Sequence, residues 1–308
     1  MQKRHTFSAD YSVITFATNK QSYVQFAFNC TRSILLHNDI SIFIVSNLNF
    51  TIPEALKNNV FIVPARQEHV ALGIGMKLHI DKYLQTPYSL FIDSDCMVYG
   101  SLAPVFEAAG NNDITVAGNI TAAQNWCGNE QAETIKQHFG LTELIRYNGG
   151  LYYLKKSAHT TRMFDKARAI GEKYDEYGFS RINNKWINEE APISIAITLN
   201  HQHPMPDNGQ FMTDLFTNSR PDTLNVLTGA IQLKNPPLPS GKHRPWYPVA
   251  YSPIILHFGG SSINSYPYNS QIALLKLNDM GLPLWLSSFI VTLFIHVPYK
   301  MWYWFRRA

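Results

Sequence analysis

Short apolar runs rich in β-branched residues recur through the first third of the chain, and between them apolar residues return every three or four places. Residues 11–16, 40–45, 60–63 and 88–92 read as strands, and 23–36 and 76–84 as helices. Farther along, 114–117 and 150–154 have the composition of strands and 161–173 that of a helix. Alternating elements of this kind predict an α/β fold, with a mostly parallel central sheet flanked by helices. No repeat with the period of a solenoid or propeller is present. Between 200 and 253 prolines and glycines become frequent, and loops folding over one edge of the sheet are expected. Residues 254–257 form one more apolar strand, closed by Gly259-Gly260.

The last stretch breaks the pattern. From 280 to 299 there is no Asp, Glu, Lys or Arg, but Pro283, Pro298, Ser287, Ser288, Thr292 and His296 interrupt it. Trp285 at one end, and Trp302, Tyr303 and Trp304 followed by Arg306-Arg307 at the other, have the character of an aromatic and basic anchor at a membrane interface. The expected division is a catalytic domain over 1–270 and an apolar helical tail over 271–308, touching a membrane from the side rather than spanning it.

Composition narrows the class. Of 308 residues, 45% are apolar and only 16% charged, which describes a packed protein and excludes a disordered one. A net charge of +4, scattered along the chain, argues against a nucleic-acid partner. Cys30, Cys96 and Cys127 form no metal-binding or disulfide spacing, and no apolar leader follows Met1. A cytoplasmic protein is expected, with the inner face of a membrane as the place its tail would touch.

The strongest chemical signal is the stretch 88–98, where an apolar strand ends in Asp93-Ser94-Asp95. A buried strand does not accept carboxylates, so the pair belongs at the carboxyl end of the sheet, where open α/β folds bind ligands. Two carboxylates there suit a hard divalent cation, Mg²⁺ or Mn²⁺, that would position a nucleotide diphosphate. A pair of aspartates capping a turn is the plainer alternative. His257, with Gly259-Gly260 allowing close backbone approach, is a candidate for metal or phosphate contact.

Asp93-Ser94-Asp95 resembles the DxD motif of nucleotide-sugar glycosyltransferases of the GT-A fold, and four further stretches are similar, in order, to the glycogenin and lipopolysaccharide galactosyltransferase group. Ile14 to Asn19 followed by Tyr23 resembles the opening strand and nucleotide loop. Gly75 to Ile80 resembles the basic helix before DxD, Tyr147 to Tyr152 the Asn-Gly-Gly segment, and Ile255 to Gly260 the late His-x-x-Gly motif. The resemblance implies a Rossmann-like GT-A catalytic domain and a UDP-sugar donor. It implies donor contacts from Ala17, Thr18, Asn19, Tyr23, Lys77, Asp93, Gly149 and Gly260. It also implies a Mn²⁺ or Mg²⁺ ion on Asp93, Asp95 and His257, and Asn148 facing the donor sugar. Glu189 and Glu190, opening a helix at the corresponding place, become catalytic candidates: a general base on the acceptor hydroxyl, or a carboxylate facing the charge that develops on the sugar. The chain departs from the group after Gly260, where Ser261-Ser262-Ile263 stands in place of Lys-Pro-Trp, so Lys242, His243 and Arg244 are the candidates for a basic clamp on the diphosphate. The acceptor expected is a saccharide or glycolipid. The alternatives are a non-catalytic nucleotide or carbohydrate binder on the same scaffold, and a sugar-phosphate nucleotidyltransferase, whose Gly-rich phosphate loop Ala17-Thr18-Asn19-Lys20 does not supply.

Overall fold

The computed structural model describes residues 4–215 and 223–305; Arg306 and Arg307 of the expected basic anchor lie outside the described residues. The central sheet is built from β1 (Tyr11–Phe16), β2 (Ser41–Ser46), β3 (Val60–Pro64), β4 (Tyr88–Ile92), β6 (Ile114–Thr115) and β9 (Leu151–Lys155), in the order β3-β2-β1-β4-β9-β6. The first four are parallel, and β9 runs antiparallel to both β4 and β6.

Alternation along the strands explains the layers. Val13, Ile42, Leu90 and Ile92 face one side, where helix α1 (Gln21–His37) covers them with Val24, Ala27 and Ile34. Ile14, Val45, Phe91 and Tyr152 face the other, under the segment Gly73–Tyr83 and helices α2 (Ala158–Glu172) and α3 (Glu190–Leu199). Neighbouring residues on opposite faces are what a strand buried on both sides requires.

Two smaller sheets carry the site's far wall. Strand β5 (Cys96–Val98) follows directly after the Asp pair and pairs antiparallel with β12 (Ile255–His257), which pairs parallel with β11 (Met212–Asp214). Strand β8 (Glu143–Tyr147) pairs antiparallel with β7 (Ala117–Ala122), which pairs parallel with β10 (Met205–Pro206). Helix α4 (Tyr266–Asp279) buries Tyr268, Leu274 and Leu275 against Met97, Leu256 and Phe258, and Asp279 meets Arg32 of α1 at 2.6 Å. It therefore runs through residue 270 as one continuous, packed element. Beyond it lie α5 (Leu284–Val291), a π-turn (Thr292–His296) and α6 (Val297–Phe305).

Three expectations change. The segment expected as a helix over 76–84 is a 3-10 stretch over Gly73–Tyr83, broken at His79 (φ −119°, ψ 17°). The Arg168 guanidinium donates to Leu78 O at 2.7 Å and takes a carbonyl the helix ladder would use, while His79 stacks on His69 at 3.9 Å. The strand expected over 114–117 divides at Val116, whose carbonyl accepts from Met205 N, so β6 stays in the central sheet and β7 leaves it. The region 200–253 contains short strands as well as loops: Met205–Pro206 and Met212–Asp214 pair with β7 and β12, and Thr223–Asn225, Ala230–Lys234 and Ala250–Tyr251 pair with one another, so tertiary pairing overrides the weak local pattern.

Candidate active site

Asp93 N–H donates to Gly150 O and Cys96 N–H returns to Asp93 O, both at 3.0 Å, so the chain turns sharply between β4 and β5. That turn holds both carboxylates at the carboxyl end of the parallel strands. Lys77 crosses to them from the 3-10 segment. Its Nζ donates to Asp93 Oδ2 at 2.6 Å and Gly149 O at 2.9 Å, and lies 3.2 Å from Glu189 Oε1. An ammonium has three protons, and these three acceptors take them.

Each charge here is governed by its partners. Burial works against the Lys77 charge, yet Asp93 and Glu189 outweigh it and hold the ammonium above its ordinary range. Burial raises the Asp93 carboxyl despite the opposing Lys77 charge, and raises Glu189 in the same way. Glu190 is pushed up to about 7 by burial and then by the Glu189 charge. Its Oε1 accepts from Gly149 N–H at 2.7 Å, and its own N–H donates to Asn188 Oδ1 at 3.1 Å. A Cβ at residue 149 would come within 2.5 Å of Glu189 Oε1, so the close approach of loop and carboxylate requires glycine there.

His257 stands on the opposite side. Its Nε2 is 3.1 Å from Asp95 Oδ1 and 4.0 Å from Asp93 Oδ2. Its Nδ1 is 2.7 Å from Asp214 Oδ1 and 3.0 Å from Asn148 Oδ1. Burial alone would lower the imidazole, but Asp95 and Asp214 raise it well above its usual range; Asp95 is held low because the same His257 charge outweighs its own burial. Asn148 completes the frame, donating from Nδ2 to Asp214 Oδ2 at 3.1 Å and accepting from Gly150 N–H at 2.9 Å. The ring is thus fixed through Nδ1, and Nε2 faces the aspartates. Cβ addition at Gly259 would reach the ring at 3.1 Å.

Lys77, Asp93, Asp95, Asn148, Gly149, Glu189, Glu190 and His257 therefore form one connected network. The nucleotide-loop residues occupy the neighbouring strand end. Ala17 is buried, with its N–H on Val45 O, and Asn19 adopts φ +69° with its N–H on Asn47 Oδ1 at 3.0 Å. Thr18 is half-buried between them. Tyr23 is 41% exposed on the first turn of α1, whose N-terminus has no side-chain cap. Gly260 (φ +61°) opens a 3-10 turn beyond β12. Arg244 is turned to Tyr247 OH at 2.7 Å and to Asp207 at 3.7 Å, and His243 to Pro236 O at 2.7 Å.

Asp214 is the residue that sequence reasoning missed. It sits opposite His257 in the β11–β12 ladder. Its signal was present: an Asp closing the short apolar run at Phe211-Met212, the same signature as Asp93 on a shorter strand.

The donor set suits a hard divalent cation: two carboxylates, and an imidazole whose far nitrogen is held by a carboxylate, as metal-binding histidines usually are. Donor atoms of Asp95, Cys96 and His257 lie within 4.8 Å of one another. The Cys96 thiol is fully buried, and burial pushes it well above its usual range, so it packs as a neutral group.

No family model matches the chain, and no curated protein matches it. Among solved structures, the chain is similar to the galactosyltransferase LgtC in complex with donor and acceptor sugar analogues, at 16% identity and TM-score 0.48, over 81% of this chain and 87% of that one. It is similar to the apo structure of the bifunctional glycosyltransferase WbbM at 13% identity and TM-score 0.49, over 82% of this chain and 46% of that one. A third likeness is to mouse xyloside xylosyltransferase 1 in its apo form, at 11% identity and TM-score 0.44, over 67% and 88%. At these identities no residue role passes from those proteins to this chain.

Proposed function

We propose that the protein is a metal-dependent glycosyltransferase, moving a sugar from a nucleotide-diphosphate donor, a UDP-sugar, to the hydroxyl of a saccharide or glycolipid acceptor. The observation that carries this reading is the convergence of Asp93, Asp95 and His257 Nε2 at the carboxyl end of the parallel strands, with Lys77 linking Asp93 to Glu189. Mn²⁺ or Mg²⁺ held by Asp93, Asp95 and His257 would supply positive charge to the departing diphosphate.

The rest of the chemistry belongs to the chain. The loop Ala17-Thr18-Asn19 follows β1, the strand paired with β4, and would offer polar contacts to a base, with the exposed Tyr23 ring as a stacking face. Gly149 brings its backbone against both glutamates, so a sugar above it would meet Asn148, Glu189 and Glu190. Glu189 is ion-paired to Lys77, whereas Glu190 changes protonation near neutral pH and is suited to take or give the acceptor proton.

The test is turnover. A panel of UDP-sugars incubated with the protein and Mn²⁺ is expected to release UDP, and Glu190→Gln to slow that release about a hundredfold, within the range general acid–base groups contribute. Absence of release from every donor, alongside tight UDP binding, favours the non-catalytic binder.

A further inference from the structure

The tail has two unlike sides. Toward the domain, Ser287 and Val291 are buried, and the Tyr299 ring stacks on Tyr266 of α4 at 3.8 Å and 3°. The Tyr266 hydroxyl also bonds His296, a contact the π-turn makes by rotating the helix at that point. Away from the domain stand Trp285 (71% exposed), Phe289, Leu293, Phe294, Met301 and Trp304 (66%). Trp285, Phe289 and Leu293 recur at four-residue steps, and Phe294, Met301 and Trp304 continue at three- and four-residue steps through the exposed Val297, with Leu284, Trp302 and Phe305 exposed beside them; the π-turn absorbs the one-place shift between Leu293 and Phe294. The helical stretch from 284 to 305 is roughly 33 Å long at 1.5 Å per residue. A contiguous exposed apolar face of this kind marks an interaction site.

We propose that this stripe is a docking face for an anionic lipid bilayer, with the helix lying in the membrane interface and not crossing it. Charge points to the occupant. Residues 280–308 include no Asp or Glu, the exposed Lys300 stands beside the apolar face, and Arg306 and Arg307 follow in the sequence, so the charge this segment carries is positive. Tryptophans stand toward both ends, where amphipathic rings sit at the headgroup level. Tethering sets the orientation. The helix touches the domain at Ser287, Val291 and Tyr299 and runs beside α4 with its Lys276, Asn278 and Asp279. A span would draw those polar groups into hydrocarbon, which is costly, whereas a helix lying flat leaves them in water.

The consequence for the site rests on the glycosyltransferase reading. Helix α4 begins six residues after Gly260, and its Tyr268 packs on Phe258 with ring centres 5.0 Å apart. The bilayer-bound face is therefore braced on the element that follows His257, and the acceptor class it favours is a sugar carried on a lipid.

Vesicle sedimentation of the full chain tests this without nucleotide, so its outcome is independent of the catalytic reading. The protein is expected to sediment with phosphatidylcholine vesicles containing phosphatidylglycerol, roughly tenfold less with phosphatidylcholine alone, and to be released by alkaline carbonate. The variant Trp285→Glu/Phe289→Glu/Phe294→Glu is expected to lose at least tenfold in partition while keeping the wild-type melting temperature. Lys300→Glu, which leaves the apolar stripe intact, is expected to weaken binding only to the anionic vesicles. Absence of vesicle binding overturns the proposal, as does retention through carbonate, which indicates a span. A wild-type dimer that the triple variant dissociates, with no lipid partition in either, assigns the face to a second copy and overturns it as well.

Discussion

Asp214 shows what a single buried carboxylate does at this site. Its Oδ1 holds His257 Nδ1 at 2.7 Å and its Oδ2 takes the Asn148 amide at 3.1 Å, so Nε2 has one available direction. Asp214→Ala frees the ring and is expected to weaken Mn²⁺ binding about 10- to 100-fold, the usual effect of losing such a partner. Asp214→Asn, which keeps an acceptor for Nδ1–H, should recover part of that loss. Mn²⁺ titration followed by electron paramagnetic resonance measures both, and equal affinity in all three proteins contradicts the positioning role. Glu190 gives a second test at this scale. Its folded value, about 7, lies above its ordinary 4.5, so the folded protein binds that proton more tightly than the unfolded chain does. The ionised carboxylate therefore costs stability above pH 7, and the cost fades as pH falls from 7 toward 4.5. Glu190→Gln is expected to raise the unfolding free energy by on the order of 2 kcal/mol near pH 8, and to change it little near pH 4.5. Urea melts at the two pH values check this; an equal gain at both contradicts a raised carboxyl.

At the scale of elements, the site depends on how β7 and β8 meet. Gly118 lies opposite Tyr147 in that ladder, and a Cβ there would come within 2.6 Å of Arg146 O, a backbone atom that cannot turn aside. Gly118→Ala is expected to cost about 1–3 kcal/mol and to displace Asn148, which directly follows β8. Urea unfolding reads the first effect and Mn²⁺ affinity the second; a variant with wild-type stability contradicts the packing. The same elements show where sequence reasoning stopped. The parallel half of the sheet was legible because β1, β2, β3 and β4 are apolar runs on both faces, and the Asp pair was legible as the abrupt end of one. Strand β11 was not, because three residues carry almost no local pattern and its pairing is with residues more than forty places on. Nor was the break at His79, since Arg168, far along the chain, takes the Leu78 carbonyl.

For the whole molecule, the carboxyl end of the parallel strands carries the buried Lys77–Asp93–Asp95–His257 network, and the helices that follow it carry an exposed apolar stripe. The tail's apolar character was plain in the sequence, whereas its support along α4 through Tyr266 was not, because that contact joins residues thirty apart or more. The central claim is that Asp93, Asp95 and His257 hold a cation that in turn holds a nucleoside diphosphate. The most direct measurement is thermal unfolding with UDP, with Mn²⁺ and with both. A ligand binding only the folded state stabilises by about 2.7 kcal/mol at a hundred times its Kd. UDP and Mn²⁺ together are expected to raise the melting temperature well beyond the sum of their separate shifts, and Asp95→Ala to abolish that excess. Separate shifts that merely add, or an excess that survives Asp95→Ala, contradict the account.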